Sequence, residues 1–91
     1  MLIEELIWDE RNEAHISRHH VTPEEVEQAC SCRRPLAYRV RSNDYALLGR
    51  TLDGRFLLVI LAAIGGGTYR PVTARDMTKT ERARYEKWLG R

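Results

Sequence analysis

Cysteine is scarce: Cys30 and Cys32, separated by one residue, are the only two in 91 residues. A small secreted fold stapled by disulfides needs more thiols, spaced more widely. A C-x-C pair also falls outside the usual zinc-ligand spacing, so neither a metal nor another cofactor is expected. Long apolar runs are missing too. The longest, Phe56 to Ile64, covers nine residues, against the roughly 20 that a bilayer-spanning helix requires. The first ten residues carry Glu4, Glu5, Asp9 and Glu10 where a secretory leader carries bases, which points to a cytoplasmic location. There is no repeat, low-complexity stretch or linker, so residues 1–91 read as one domain built on one small core.

Lysine is nearly absent. Lys79 and Lys87 stand beside thirteen arginines, and the bases are unevenly placed. Residues 1–30 hold eight acids and two bases; residues 31–91 hold thirteen bases and five acids. A GC-rich genome accounts for arginine over lysine, but not for its concentration after residue 31. Arginine's planar fork fits phosphate and carboxylate bidentately, so the asymmetry suggests a polyanionic or acidic partner.

The local patterns predict the order β-α-α-β-β-β-β-α, an α+β domain with an antiparallel sheet, two N-terminal helices and one C-terminal helix. Leu2 to Trp8 reads as a short strand, and Asp9 as the N-cap of a helix reaching about His19 with Ala14 and Ile16 as its apolar content. Thr22 and Glu25 have capping-box spacing around Pro23, opening a second helix with Val26, Ala29 and Cys30 inward. Leu36–Arg41, Tyr45–Leu52 and Arg55–Ile64 read as strands, the last central because it is apolar on both faces. Asp53-Gly54 predicts a two-residue hairpin turn pairing Leu52 with Arg55, and Arg50 with Leu57. Gly65-Gly66-Gly67 lacks the context of a phosphate-binding loop and reads as a flexible connection. Thr68–Arg75 is a final strand with Pro71 at an edge or bulge. Thr78 and Glu81 form another capping box, opening a helix from Lys79 to Leu89 with Tyr85, Trp88 and Leu89 inward.

Two constellations carry possible chemistry. Arg11, His15, Arg18 and His19 fall on one face of the first helix. Guanidinium and imidazole on one stripe suit phosphate binding and proton transfer; the alternative is a solvated polar face. Arg50 and Arg55 are expected to share one sheet face. With Arg70, Arg75 and Arg82 they form a set of which several can gather in one cleft near Tyr45 and Tyr69, charge for phosphates and rings for bases; the alternative is arginines scattered over the surface. Sequence-specific DNA binding is disfavoured, since the second helix carries Glu24, Glu25 and Glu27.

Three segments resemble the BrnT toxin family in order and spacing. Trp8-Asp9-Glu10 through His15, Arg18-His19-His20-Val21 and Glu24-Glu25 resembles that family's opening; Gly49 to Val59 is similar to its hairpin. Arg70-Pro71-Val72-Thr73-Ala74-Arg75 followed by Glu81-Arg82 and Tyr85 resembles its closing motif. The sequence departs from the family pattern at Arg18 (lysine there), His15 (asparagine), His20 (glycine) and Pro71 (isoleucine). Losing glycine after the first helix removes the easy left-handed C-cap.

The resemblance implies a RelE-like fold and a ribonuclease toxin of a type II toxin–antitoxin pair, cutting RNA without metal by 2′-OH attack. It implies a BrnA-like ribbon-helix-helix antitoxin as partner, in a hetero-oligomeric complex, and RNA as substrate. Catalysis falls on His19 for proton transfer, on Arg70 and Arg75 for phosphate stabilisation, and on Glu81 as a base, although Glu81 also has its capping-box role. RNA positioning falls on Arg82, which carries over from the closing motif, and, from the residue pattern alone, on Arg11, Arg18, Arg50 and Arg55. The rival reading is a non-catalytic module that holds RNA or an acidic antitoxin segment.

Overall fold

The apolar run in the middle of the chain sets the centre of the fold. In the structure, a computed structural model describing residues 1–90, it forms β4 (Phe56–Gly65). On either side lie β3 (Asp44–Arg50) and β5 (Thr68–Asp76), both antiparallel to it. β2 (Leu36–Arg39) continues the meander beyond β3. β1 (Glu5–Leu6) is shorter than the expected Leu2–Trp8 and adds to β5 in parallel, giving a mixed sheet of order β1-β5-β4-β3-β2. Three helices complete the chain: α1 (Glu10–Ser17), α2 (Pro23–Cys30) and α3 (Lys79–Leu89).

Strand alternation divides the core in two. Leu47, Leu57, Val59, Leu61 and Ala74 pack with Ile16, Val21, Val26 and Ala29 beneath α1 and α2. Ala46, Leu48 and Leu58 pack with Tyr85 of α3 on the opposite face. The inward residues of α1 are Asn12 and Ile16; Ala14 is exposed. Trp88, expected in the core, is instead 41% exposed, with the guanidinium of Arg34 over its ring, 4.7 Å from the centroid.

Both hairpin connections differ from expectation. A two-residue type I′ turn needs positive φ at both central residues. Gly54 has φ +87, whereas Asp53 is not in that region. The β3–β4 connection is therefore a three-residue loop, Leu52-Asp53-Gly54, closed by Gly54 N–H to Thr51 O at 2.9 Å and Thr51 N–H to Arg55 O at 2.9 Å. Arg50 then lies opposite Phe56, not Leu57. That one-residue slip sends Arg50 and Arg55 to opposite faces of the sheet. The glycine run is the tight turn: Gly66 and Gly67 have φ +61 and +85, and Gly65 pairs with Thr68. It is also a dock, for Gly67 O accepts Glu4 N–H at 2.8 Å and thereby starts β1.

All three N-caps form reciprocal capping boxes, at Asp9, Thr22 and Thr78. The end of α1 is less comfortable. Val21 N–H bonds Ile16 O at 3.2 Å and His20 N–H bonds Ser17 O at 3.0 Å, a Schellman pair whose left-handed position is filled by His20, with φ +58. A side chain there costs about 1–2 kcal/mol, which glycine's extra unfolded-state freedom offsets only in part. His20→Gly is therefore expected to stabilise the chain by about 0.5–1 kcal/mol. A denaturant midpoint that falls instead would contradict this reading of the turn.

Candidate functional site

The geometry begins with a proline. Along β5 the pairing passes from Ile60↔Thr73 to Leu61↔Pro71, leaving Val72 as a bulged residue. Ile7 N–H reaches Tyr69 O at 2.9 Å, so a continuing parallel ladder would place the N–H of residue 71 on Ile7 O. Proline has none. Asn12 replaces it: Nδ2 donates to Ile7 O at 2.9 Å and to Pro71 O at 3.1 Å. Its Oδ1 meanwhile accepts Asp9 N–H at 2.9 Å within the capping box. Asn12 is 2% exposed and pins α1 onto the bulge.

Between them lies a hollow of about 320 Å³, lined by Arg11, Asn12, His15, Arg70, Pro71 and Val72. Arg70 donates Nη2 to Asp9, 2.9 Å from Oδ2. Its Nη1 is buried and meets no acceptor among the described residues. A buried donor left unpaired costs about 1–3 kcal/mol, and Arg70 itself lines the hollow, where its guanidinium charge favours an anionic oxygen. One helical turn beyond His15 stands His19, the two rings tilted with centroids 6.2 Å apart. Arg11, Arg18 and His19 are exposed along this face, and His15 is half-buried.

Of the predicted site residues only Arg11 and Arg70 line this hollow; Arg18 and His19 lie beside it, the others elsewhere, and the single arginine cleft does not form. Arg75 donates Nη1 and Nη2 to Glu81 Oε1 and Oε2 at 2.8 and 3.0 Å. Glu81 Oε1 also accepts Thr78 N–H at 2.8 Å. The Arg75 hydrogen bonds, ahead of the Thr78 contacts, hold the Glu81 carboxyl below the usual carboxylate range, which favours a fixed acceptor over a proton-taking base. Arg50 and Arg82 lie over Phe56, their Cζ atoms 5.0 and 4.0 Å from its centroid. Tyr45 and Tyr69 pack edge to face at 6.0 Å, and Tyr69 packs against the core.

Arg55 is drawn inward by the register slip. Its Nη1 donates to His20 O at 2.7 Å and to Glu25 Oε1 at 3.1 Å. Nη2 reaches His19 O at 3.2 Å, and Nε reaches Asp76 Oδ1 at 2.7 Å. Nη1 and Nη2 close the end of α1 while Nε ties the group to Asp76 of β5, so Arg55 holds the fold together there.

Sequence reasoning sets His15 in the α1 stripe without assigning it to catalysis and passes over Asn12. The visible signal for Asn12 is its position three residues after an N-cap, with Pro71 breaking a strand elsewhere. Among the described residues no three His, Cys, Asp or Glu side chains gather to hold a metal ion. Burial pushes the Cys30 thiol up to about 12, leaving it a packing residue. No helix among the described residues is long and apolar enough to cross a membrane.

No family model matches the chain, and no curated protein matches it by sequence. Among solved structures, it is similar to the ribonuclease toxin BrnT of Brucella abortus, with 17% identity and a TM-score of 0.65 over 82% of this chain and 97% of that one. The chain has the BrnT fold.

Proposed function

We propose that the chain is a ribonuclease toxin that cleaves RNA without metal, acting in the cytoplasm at the α1–β5 hollow. The observation that carries this reading is the juxtaposition in the hollow of Arg70, Arg11 and His15, with His19 beyond the end of α1 and its ring 6.2 Å from that of His15. A phosphodiester oxygen seated in the hollow meets the Arg70 guanidinium. Histidine is the residue type that exchanges protons near neutral pH. One imidazole takes the proton of the ribose 2′-OH as that oxygen attacks phosphorus. The other returns a proton to the departing 5′ oxygen, leaving a 2′,3′-cyclic phosphate and a 5′-OH. Arg70 and Arg11 stabilise the charge that grows on the non-bridging oxygens. Arg18 tracks the adjoining backbone. Arg75 and Glu81 act by positioning the start of α3, outside the reacting atoms. The shared fold with a protein named as a ribonuclease toxin supports the same reading, as does the family-like order of motifs. A toxin of this kind requires a neutralising partner, here a BrnA-like ribbon-helix-helix antitoxin in a hetero-oligomeric complex.

The test is purified chain incubated with single-stranded RNA in excess chelator. Cleavage with 2′,3′-cyclic phosphate ends is expected, and is expected to weaken in His15→Ala and His19→Ala. RNA that stays intact in the presence of folded protein would overturn the nuclease and leave the non-catalytic binding module.

A further inference from the structure

A second and larger hollow lies away from α1, where the end of α2, the β3–β4 hairpin and the end of α3 meet. Its volume is about 720 Å³, and Arg33, Arg34 and Arg50 contribute to its walls. That is room for a nucleotide-sized ligand. The walls are tied together: Gln28 Oε1 accepts Leu52 N–H at 3.1 Å, and Tyr85 Oη donates to Arg34 O at 2.7 Å.

Its arginines differ from three that stand on or beside the sheet. Arg55, Arg70 and Arg75 are each paired with a carboxylate. Arg33, Arg34 and Arg50 have no ion-pair partner among the described residues. Asp53 also lines the hollow, but no ion pair ties it to any of the three guanidiniums, so an incoming polyanion meets net positive charge that is still unpaired. The orientation narrows the choice of anion. Arg34 lies over Trp88 and spends Nη1 on Leu89 O at 3.2 Å; Arg50 lies over Phe56. Each guanidinium is backed by an aromatic ring that lies behind the lining, and a guanidinium backed in this way can serve as a platform for an unpaired base. Arg33, exposed on the rim, supplies the phosphate contact. A carboxylate-rich peptide would use the charge and leave the platforms unused.

We propose that this groove binds single-stranded RNA flanking the cleaved position, one base stacking on the Arg34–Trp88 pair and the backbone running past Arg33 and Arg50. The proposal rests on RNA being the substrate, but not on cleavage. The test uses the full chain and a fully 2′-O-methylated single-stranded oligonucleotide, which has no 2′-OH to attack, followed by fluorescence anisotropy across a salt series. Arg33→Glu is expected to weaken binding about tenfold and to flatten the slope of log affinity against log salt by about 0.7 for each phosphate no longer neutralised. Arg41→Glu, at an exposed arginine in the β2–β3 turn, changes net charge equally and is expected to weaken binding about twofold. Arg34→Ala is expected to reduce affinity with little change in salt slope, the mark of a missing stacking platform. Equal losses for Arg33→Glu and Arg41→Glu would overturn the groove, as would a wild-type chain that ignores the oligonucleotide or releases it to a polyglutamate peptide. Binding with the expected variant pattern but no RNA cleavage would keep the groove and remove the nuclease. Cleavage with equal losses would do the reverse.

Discussion

Arg70→Ala is expected to slow RNA cleavage by about 10²–10³, the usual cost of removing one donor from a developing oxyanion. The loss should appear in the single-turnover rate more than in the substrate concentration giving half-maximal rate, since the donor acts on charge that grows during the reaction. Arg70 also pairs with Asp9, 2.9 Å away, and Asp9 caps α1, so a purely structural role has to be separated out. Asp9→Asn does this. Asparagine keeps an oxygen for the Asn12 N–H and remains a good cap, but removes the charge that holds Arg70. If Arg70 serves only to anchor Asp9, the two variants should lose equal activity. If it binds phosphate, Asp9→Asn should keep most of its activity while Arg70→Ala does not. Arg70→Lys should recover only part of the rate, because an ammonium retains the charge without the planar fork.

What is legible in the sequence and what is hidden follow a physical line. Signals confined to a few neighbouring residues are readable. The three capping boxes depend on spacing alone, and each forms. The central place of β4 follows from its being apolar on both faces. Pro71 sits at a bulge as its missing donor demands. The turns are harder, because Asp-Gly marks a turn without fixing which residue takes positive φ. Asp53 stays out of that region and Gly54 enters it. That single difference moves Arg55 from the expected RNA face to the underside of α1. β1 reads too long in the sequence because its limits are set by Gly67 and Tyr69, some sixty residues away. The hollow is half legible. Helical spacing alone places Arg11, His15, Arg18 and His19 together. Joining them to Arg70 requires knowing that Asn12 stands in for the ladder bond that Pro71 cannot make.

The family pattern has glycine where this chain has His20, and the structure shows what the change does. The turn keeps its left-handed geometry with a histidine in it. Its two exposed carbonyls, His19 O and His20 O, both receive hydrogen bonds from Arg55. A strained turn is thus held by a guanidinium that Asp76 and Glu25 hold in turn. His19 leaves the helix within this clamped segment, so the clamp and the proposed chemistry are joined through the backbone.

Arg55→Met is accordingly expected to destabilise the fold by about 2–3 kcal/mol, because charge-assisted hydrogen bonds contribute about 1.5–3 kcal/mol each and partial exposure discounts the sum. Methionine keeps most of the aliphatic stem but strands Glu25, Asp76 and two carbonyls. The acid response should change as well. The hydrogen bond from Arg55, ahead of its charge, holds the Asp76 carboxyl below its ordinary value of 3.8. The native state therefore binds fewer protons there than the unfolded chain, and the interaction contributes fully above that value and fades as pH falls through the lowered native one. Glu81 behaves the same way against Arg75, from an ordinary value of 4.5. Wild-type stability should stay flat from pH 7 to about 5 and drop below it. In Arg55→Met the plateau should be lower and the acid drop shallower, with the remaining slope set by Glu81 and abolished further by Glu81→Gln. Denaturant midpoints measured from pH 7 to 3 separate these cases. Equal midpoints for Arg55→Met and wild type at pH 7 would return Arg55 to the surface and to RNA binding.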